Sequence, residues 1–179
     1  MRVAIRTPSQ SDEEEFLGQV RRNRKFHRLW VHPPSSPEAF EGYLKRISNP
    51  SHESYVIHER GKNGLVGVVN LNEIVYGSFC SAYLGYYVFE EYSQQRLMSD
   101  GMVFVIRFAF RRHKLHRLEA NIQPENHASI ALVHRLGFER KGFSPCYLKV
   151  SGRWRDHERW ALLADRSKPS LSASVSFEK

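Results

Sequence analysis

The sequence predicts an α/β fold in which one mixed, mostly antiparallel sheet carries helices on both faces. Residues 83–138 read strand, polar turn, long helix, strand, polar turn, short helix, the order that lays helices over a sheet. Short apolar runs punctuated by turn residues flank that unit on either side, as in a meander before it and a hairpin after it.

The first run, 3–7 (Val3, Ala4, Ile5), is short and β-rich. Ser11 and Glu14 form a capping-box pattern that opens a helix with Phe16, Leu17 and Val20 inward. Pro33 and Pro34 break the chain. Ser35 and Glu38 repeat the box, with Pro37 in the first turn, ahead of Phe40, Tyr43, Leu44 and Ile47. Runs 54–58 and 65–71 are strands joined by turn residues 61–64, and 81–89 extends the meander. Met98, Met102, Val105, Ile106 and Ala109 mark one face of a long helix. Val103, Phe104, Phe108 and Phe110 lie off that stripe, so the helix is expected to be covered on more than one side. Strand 117–122 ends at Pro124, Asn126 caps the next helix, and Gly137 with Phe138 gives it a Schellman ending. Runs 147–150 and 154–163 pair around Ser151 and Gly152. One domain over 1–165 and a flexible Ser-rich tail over 166–179 complete the expected organisation.

A chain of 179 residues is long enough to bury a core without staples. Two cysteines, Cys80 and Cys146, are too few for a disulfide framework and point to a reduced, cytoplasmic setting. No signal-peptide pattern and no membrane-length apolar run is present. The formal charge of +8, concentrated at Arg21, Arg22, Arg24, Lys25 and Arg28 and at Arg107, Arg111, Arg112 and Lys114, suits an anionic partner. It equally suits solvated helix faces, and no nucleic-acid fold signature accompanies it. His113 and His116 lack further ligands at metal spacing, so no metal is expected.

Asn126, Ser129, Leu132, Gly137 and Phe138, read together, resemble the signature of the GCN5-related N-acetyltransferase (GNAT) superfamily. Residues 117–126 before them and 152–157 after them resemble the branch that acetylates the N-terminal residue of ribosomal proteins. The resemblance runs from about Arg2 to Ala164 and implies an acyl-CoA N-acyltransferase fold with strands splayed around acetyl-CoA.

On that resemblance, backbone groups of Tyr87, Val88 and Phe89 bond the pantetheine arm, and the pyrophosphate rests at Gln94, Gln95, Arg96, Leu97 and Met98. Gln94 and Arg96 stand where the branch carries glycines, so Arg96 either supplies a charged phosphate ligand or obstructs the loop. Asn126 is implied on the arm and Ser129 beside the thioester sulfur, as a proton donor to the leaving thiolate. Glu119 matches a base position of some relatives. Without the resemblance, Asn126 only caps its helix, Ser129 fills a first turn, and Glu119 pairs with Arg117 or Arg140. Tyr147 is an alternative acid, and Trp154 and Asp156 lie towards the acceptor.

The implied reaction moves acetyl from acetyl-CoA to a primary amine, foremost the N-terminal amine of a ribosomal or other protein. A small amine (polyamine, amino acid or antibiotic) is the alternative acceptor, and a non-catalytic module of the same fold is the third reading. An α-amine of pKa about 7.7–8.0 is partly neutral at pH 7, whereas a lysine near 10.4 is almost wholly charged. An N-terminal acceptor therefore asks for little base.

Overall fold

The computed structural model describes residues 2–62 and 64–166. Seven strands form one sheet: β1 (Val3–Arg6), β2 (Glu53–Glu59), β3 (Leu65–Val75), β4 (Ser81–Val88), β5 (Arg117–Ile122), β6 (Glu139–Val150) and β7 (Arg153–Leu163). Their spatial order is β1-β2-β3-β4-β5-β7-β6. Every neighbouring pair is antiparallel except β4 and β5, which run parallel. The helices are α1 (Glu13–Arg22), the single turn α2 (Arg24–His27), α3 (Pro37–Ile47), α4 (Leu97–Arg111) and α5 (His127–Arg135).

Both faces of the central strands are buried, and alternation assigns their side chains to two cores. Tyr55, Ile57, Val69 and Leu84 pack with Met102, Val105 and Ile106 of α4 and Val133 of α5. Val56, Val68, Tyr87 and Phe89 pack with Phe16, Leu17 and Val20 of α1 and Phe40 and Tyr43 of α3. Gly101 lets α4 settle directly on β2, because a Cβ there would stand 2.3 Å from Ile57 Cδ1. The off-stripe aromatics of α4 are covered as expected: Phe108 lies 5.7 Å from Tyr55 and 6.4 Å from Phe104, centroid to centroid.

Several boundaries move from the expected ones. The first capping box is Ser9 with Asp12, and a 3₁₀ turn over Gln10–Asp12 precedes α1. Asp12 is held there by an ion pair to Arg6 and by the Ser9 N–H at 2.7 Å, which outweighs the weaker Ser11 pattern. The α3 cap is Ser36, whose hydroxyl accepts the Ala39 N–H at 3.2 Å. Pro37 at the first helical position fixes that choice. β6 begins at Glu139, well before the expected 147; its outer edge has no strand neighbour among the described residues, and its charged sequence shows no alternation. The Schellman ending of α5 is present, with Gly137 at φ 92° and the Phe138 N–H on the Val133 carbonyl at 3.0 Å. Ser151 and Gly152, both at positive φ, form the tight turn of the β6–β7 hairpin. Of the expected tail, Arg166 closes a 3₁₀ turn (Ala164–Arg166) and approaches Glu139 at 3.5 Å. Residues 167–179 lie outside the described residues. No described helix is long and apolar enough to cross a membrane.

Candidate active site

β4 and β5 pair over three rungs only: Ser81 with Arg117, Ala82 with Leu118 and Tyr83 with Glu119. Both strands continue past that point, β4 to Val88 and β5 to Ile122, without further pairing to each other. The result is an open wedge with Tyr83 and Glu119 at its vertex. Helix starts flank it, α4 following β4 and α5 following β5.

Strand alternation decides which β4 groups face the wedge. The Phe89 N–H donates to the Val66 carbonyl at 2.9 Å, so residues 89, 87 and 85 direct their backbone groups towards β3. The Phe89 carbonyl accepts the Tyr92 N–H at 2.9 Å. Both polar groups of Phe89 are thus engaged, and Tyr87 belongs to the β3 ladder. Tyr86 and Val88 are the residues whose N–H groups face the wedge. Of the expected trio of Tyr87, Val88 and Phe89, only Val88 turns its backbone groups to the wedge, as Tyr86 also does. The register of β4 on β3, invisible in the sequence, is the reason. Below the wedge, the Tyr86 hydroxyl donates to the Ser129 carbonyl at 3.2 Å and ties β4 to α5. Burial raises the pKa of this phenol, which stays protonated.

Between β4 and α4 lies the loop where glycines were expected. Gln94 adopts φ 60° and Arg96 φ 65°, so both keep the left-handed backbone that glycine favours. Arg96 is the N-cap of α4, with no side-chain cap, and the first N–H groups of α4 point out of the helix end. Gln94 and Arg96 are exposed, whereas the side chains of Leu97 and Met98 lie in the core. Gln95 ties the loop together, since its Nε2 donates to the Glu91 carbonyl at 2.6 Å and its own carbonyl accepts Arg2 Nη1 at 3.1 Å. Arg2 also grips Asp100 at 2.9 Å, bracing the loop against the helix.

Asn126 Oδ1 accepts the Ser129 N–H at 3.1 Å, so the asparagine does cap α5. Ser129 is half-buried in the first turn of α5, which follows the open end of β5. Glu119 forms a 2.6 Å pair with Arg117 Nε, two residues away on the same face of β5. Tyr83 stands across from Glu119 on the neighbouring strand. The influence of the Tyr147 hydroxyl, then partial burial and Glu119, raise the Tyr83 pKa, while Arg117 works against them. A bulge between Ser144 and Leu148 in β6 places Tyr147 there; it is held by the Cys146 N–H donating to Asp156 Oδ1 at 2.8 Å. His157 supports the Tyr147 ring from 6.2 Å. Asp156 and His157 are therefore structural to the site.

The floor continues across β3 with Asn72, which accepts Arg46 Nη1 at 2.8 Å, and Asn70, which accepts the Tyr43 hydroxyl at 3.4 Å. Burial pushes the Tyr43 phenol up to about 12. The end of α2 and the strap that follows it bridge the open end. His27 Nε2 donates to the Val88 carbonyl at 2.8 Å, Gln123 Nε2 donates to the Leu29 carbonyl at 3.0 Å, and His32 bonds Ser151 at the hairpin tip. Tyr83, Tyr86 and His27 were not foreseen as site residues. Only His27 left a signal: Gln19, Asn23 and His27 recur every fourth residue on the inward face of α1 and α2.

Residues 2–139 match the family model for the acetyltransferase (GNAT) domain. The [ribosomal protein uS5]-alanine N-acetyltransferase of Escherichia coli (strain K12) is 30% identical over 169 residues, covering 90% of this chain and 87% of that protein. The spermidine N(1)-acetyltransferase of the same organism is 23% identical over 158 residues, covering 87% and 83%. The crystal structure of ribosomal-protein-S5-alanine acetyltransferase from Vibrio fischeri superposes with a TM-score of 0.83 at 24% identity, over 94% of this chain and 97% of that one.

Proposed function

The chain belongs to the GNAT acetyltransferase family and is an acetyl-CoA-dependent N-acetyltransferase; from that premise we propose that it acetylates the α-amine of a protein N-terminus in the cytoplasm, with a ribosomal protein as the foremost acceptor. The observation that carries the acceptor reading is the Arg117–Glu119 pair at the wedge vertex. A polyamine acceptor brings several positive charges and needs carboxylates to receive them. Here the vertex carboxylate already has a guanidinium partner, and the phenol of Tyr83 stands opposite it. The strap and hairpin add exposed Leu29, Leu148 and Trp154, apolar surface suited to the residues that follow an N-terminus. The relation to the uS5-alanine enzyme supports the same acceptor class.

Acetyl-CoA supplies an activated acyl carbonyl and a thiolate leaving group. The wedge suits its arm: two N–H groups of β4, at Tyr86 and Val88, line an edge that β5 does not close. One of them faces the thioester oxygen as charge develops on it. The first N–H groups of α4, with the exposed Arg96 guanidinium, receive the pyrophosphate. Leu97 and Met98 contribute their backbone while anchoring the helix in the core, and Gln94 and Gln95 shape the loop. Asn126 holds the first turn of α5, and Ser129 in that turn donates a proton towards the departing sulfur. Glu119, paired with Arg117, accepts a proton from the amine through water. An acceptor that is partly neutral at pH 7 asks for little base.

The test is thiol release from acetyl-CoA with free N-terminal peptides, the same peptides blocked at the α-amine, and spermidine. Free peptides are expected to support turnover and blocked ones not. Faster turnover of spermidine than of any peptide would overturn the acceptor assignment.

A further inference from the structure

Among the described residues, β4 beyond Tyr83 has a strand neighbour on its β3 side only, and its other edge is the wall of the wedge. A strand end supported on one side frays, yet the N–H groups on this edge need a fixed aim. Support comes from α1 and α2. Gln19 Nε2 donates to Glu91 Oε1 at 2.6 Å, the Glu90 N–H donates to Asn23 Oδ1 at 2.6 Å, and His27 Nε2 donates to the Val88 carbonyl at 2.8 Å. Asn23 is itself fixed by the Gln19 carbonyl at 2.9 Å. Of the three, only His27 touches the wedge edge itself.

His27 is 5% exposed, enclosed by the rings of Tyr87 at 5.3 Å, Phe26 at 5.5 Å and Phe89 at 5.6 Å. Among the described residues its buried Nδ1 has no hydrogen-bond partner. A proton on Nδ1 would have no acceptor in this aromatic box, so the ring is neutral with its hydrogen on Nε2. Burial lowers its pKa to the same effect, against the opposing pull of the Val88 carbonyl and Glu90.

We infer that His27 is a positioning residue for acetyl transfer: by binding the Val88 carbonyl at the open edge of β4, it fixes the Val88 N–H towards the thioester and removes a repelling carbonyl from beside it. Along this edge the Val88 N–H lies between the carbonyls of Tyr86 and Val88. Negative charge developing on the thioester oxygen is repelled by a free carbonyl and attracted by a fixed N–H. The His27 hydrogen bond withdraws the outer carbonyl and holds the strand end where β5 no longer supports it. The inference rests on the wedge as the thioester site and is independent of which amine is the acceptor.

Three variants test it: His27→Gln, whose amide nitrogen reaches the place of Nε2; His27→Asn, whose amide reaches only that of Nδ1; and His27→Phe, which keeps the bulk. Turnover is compared with wild type on whichever amine the wild-type enzyme acetylates best, and acetyl-CoA affinity is measured by calorimetry. His27→Gln is expected to keep kcat within about twofold. His27→Asn and His27→Phe lose roughly tenfold in kcat, the size of one hydrogen bond lost at the transition state, while Kd for acetyl-CoA moves less than about twofold. Equal kcat in all three variants, or a loss that appears in Kd rather than kcat, would overturn the inference. If the phenylalanine variant does not fold, the contrast between glutamine and asparagine decides. Failure of the wedge reading is seen separately, as acetyl-CoA binding to the wild type that leaves the Tyr86 and Val88 amide signals unmoved.

Discussion

The turn from β5 into α5 and the turn from β4 into α4 leave the same end of the parallel strand pair. In the first, residue type and conformation agree: Asn126 caps α5 through its side chain, accepting the Ser129 N–H. In the second they part. Gln94 and Arg96 occupy left-handed backbone with no glycine and no side-chain cap. Surrounding bonds hold that backbone: Arg2 on the Gln95 carbonyl, Gln95 on the Glu91 carbonyl, and Asn23 on the Glu90 N–H. The loop keeps its shape because its neighbours impose it, so its side chains are free to change. One such change, Arg96, adds a cation at a helix start that favours anions.

The largest expected effect falls on the turn that kept its residues. Ser129→Ala should lower kcat by about two orders of magnitude, the usual worth of a general acid, with little change in the KM for acetyl-CoA. Equal or faster turnover in steady-state assays removes Ser129 from proton transfer. The comparison sharpens at the other turn. Arg96→Gly should weaken acetyl-CoA binding roughly tenfold by removing a charge-assisted contact, yet raise thermal stability by relieving up to about 1 kcal/mol of left-handed strain. Gln94→Gly should give the stability gain without the loss of affinity. Calorimetry and melting curves on both variants separate the two effects, and tighter binding by Arg96→Gly would mean that the guanidinium obstructs the loop. Asn126→Ala should cost about 1 kcal/mol in denaturant unfolding through the lost cap. The smallest effect is on pH. Burial holds the folded pKa of both His27 and His58 below the ordinary value, so their contribution is complete above about pH 6.5 and is lost as pH falls through the folded values. Melting temperatures should therefore fall from pH 7 towards pH 5, and His27→Phe should flatten the slope.

Local signals were legible wherever residue type and conformation coincide. The 117–122 strand, the α5 cap and the Schellman ending follow directly from the chain order. The two capping boxes were each misplaced by a residue or two, because Arg6 and Pro37 decide between adjacent serines. β6 was seen only in its last four residues, since an exposed edge strand carries no alternation. Within the site, what stayed hidden depends on register. Whether Tyr86 or Tyr87 faces the wedge turns on a one-residue choice in pairing with β3, and the Tyr83–Glu119 vertex on where β5 stops pairing with β4. The aromatic box around His27 joins α2 to β4 across 61 residues of chain.

Amide resonances followed during a titration with acetyl-CoA test the wedge most directly. Shifts and slowed exchange are expected at the Tyr86 and Val88 N–H groups, with Tyr87 and Phe89 held in the β3 ladder and little affected. Binding that moves Tyr87 and Phe89 while leaving Tyr86 and Val88 unchanged would contradict it.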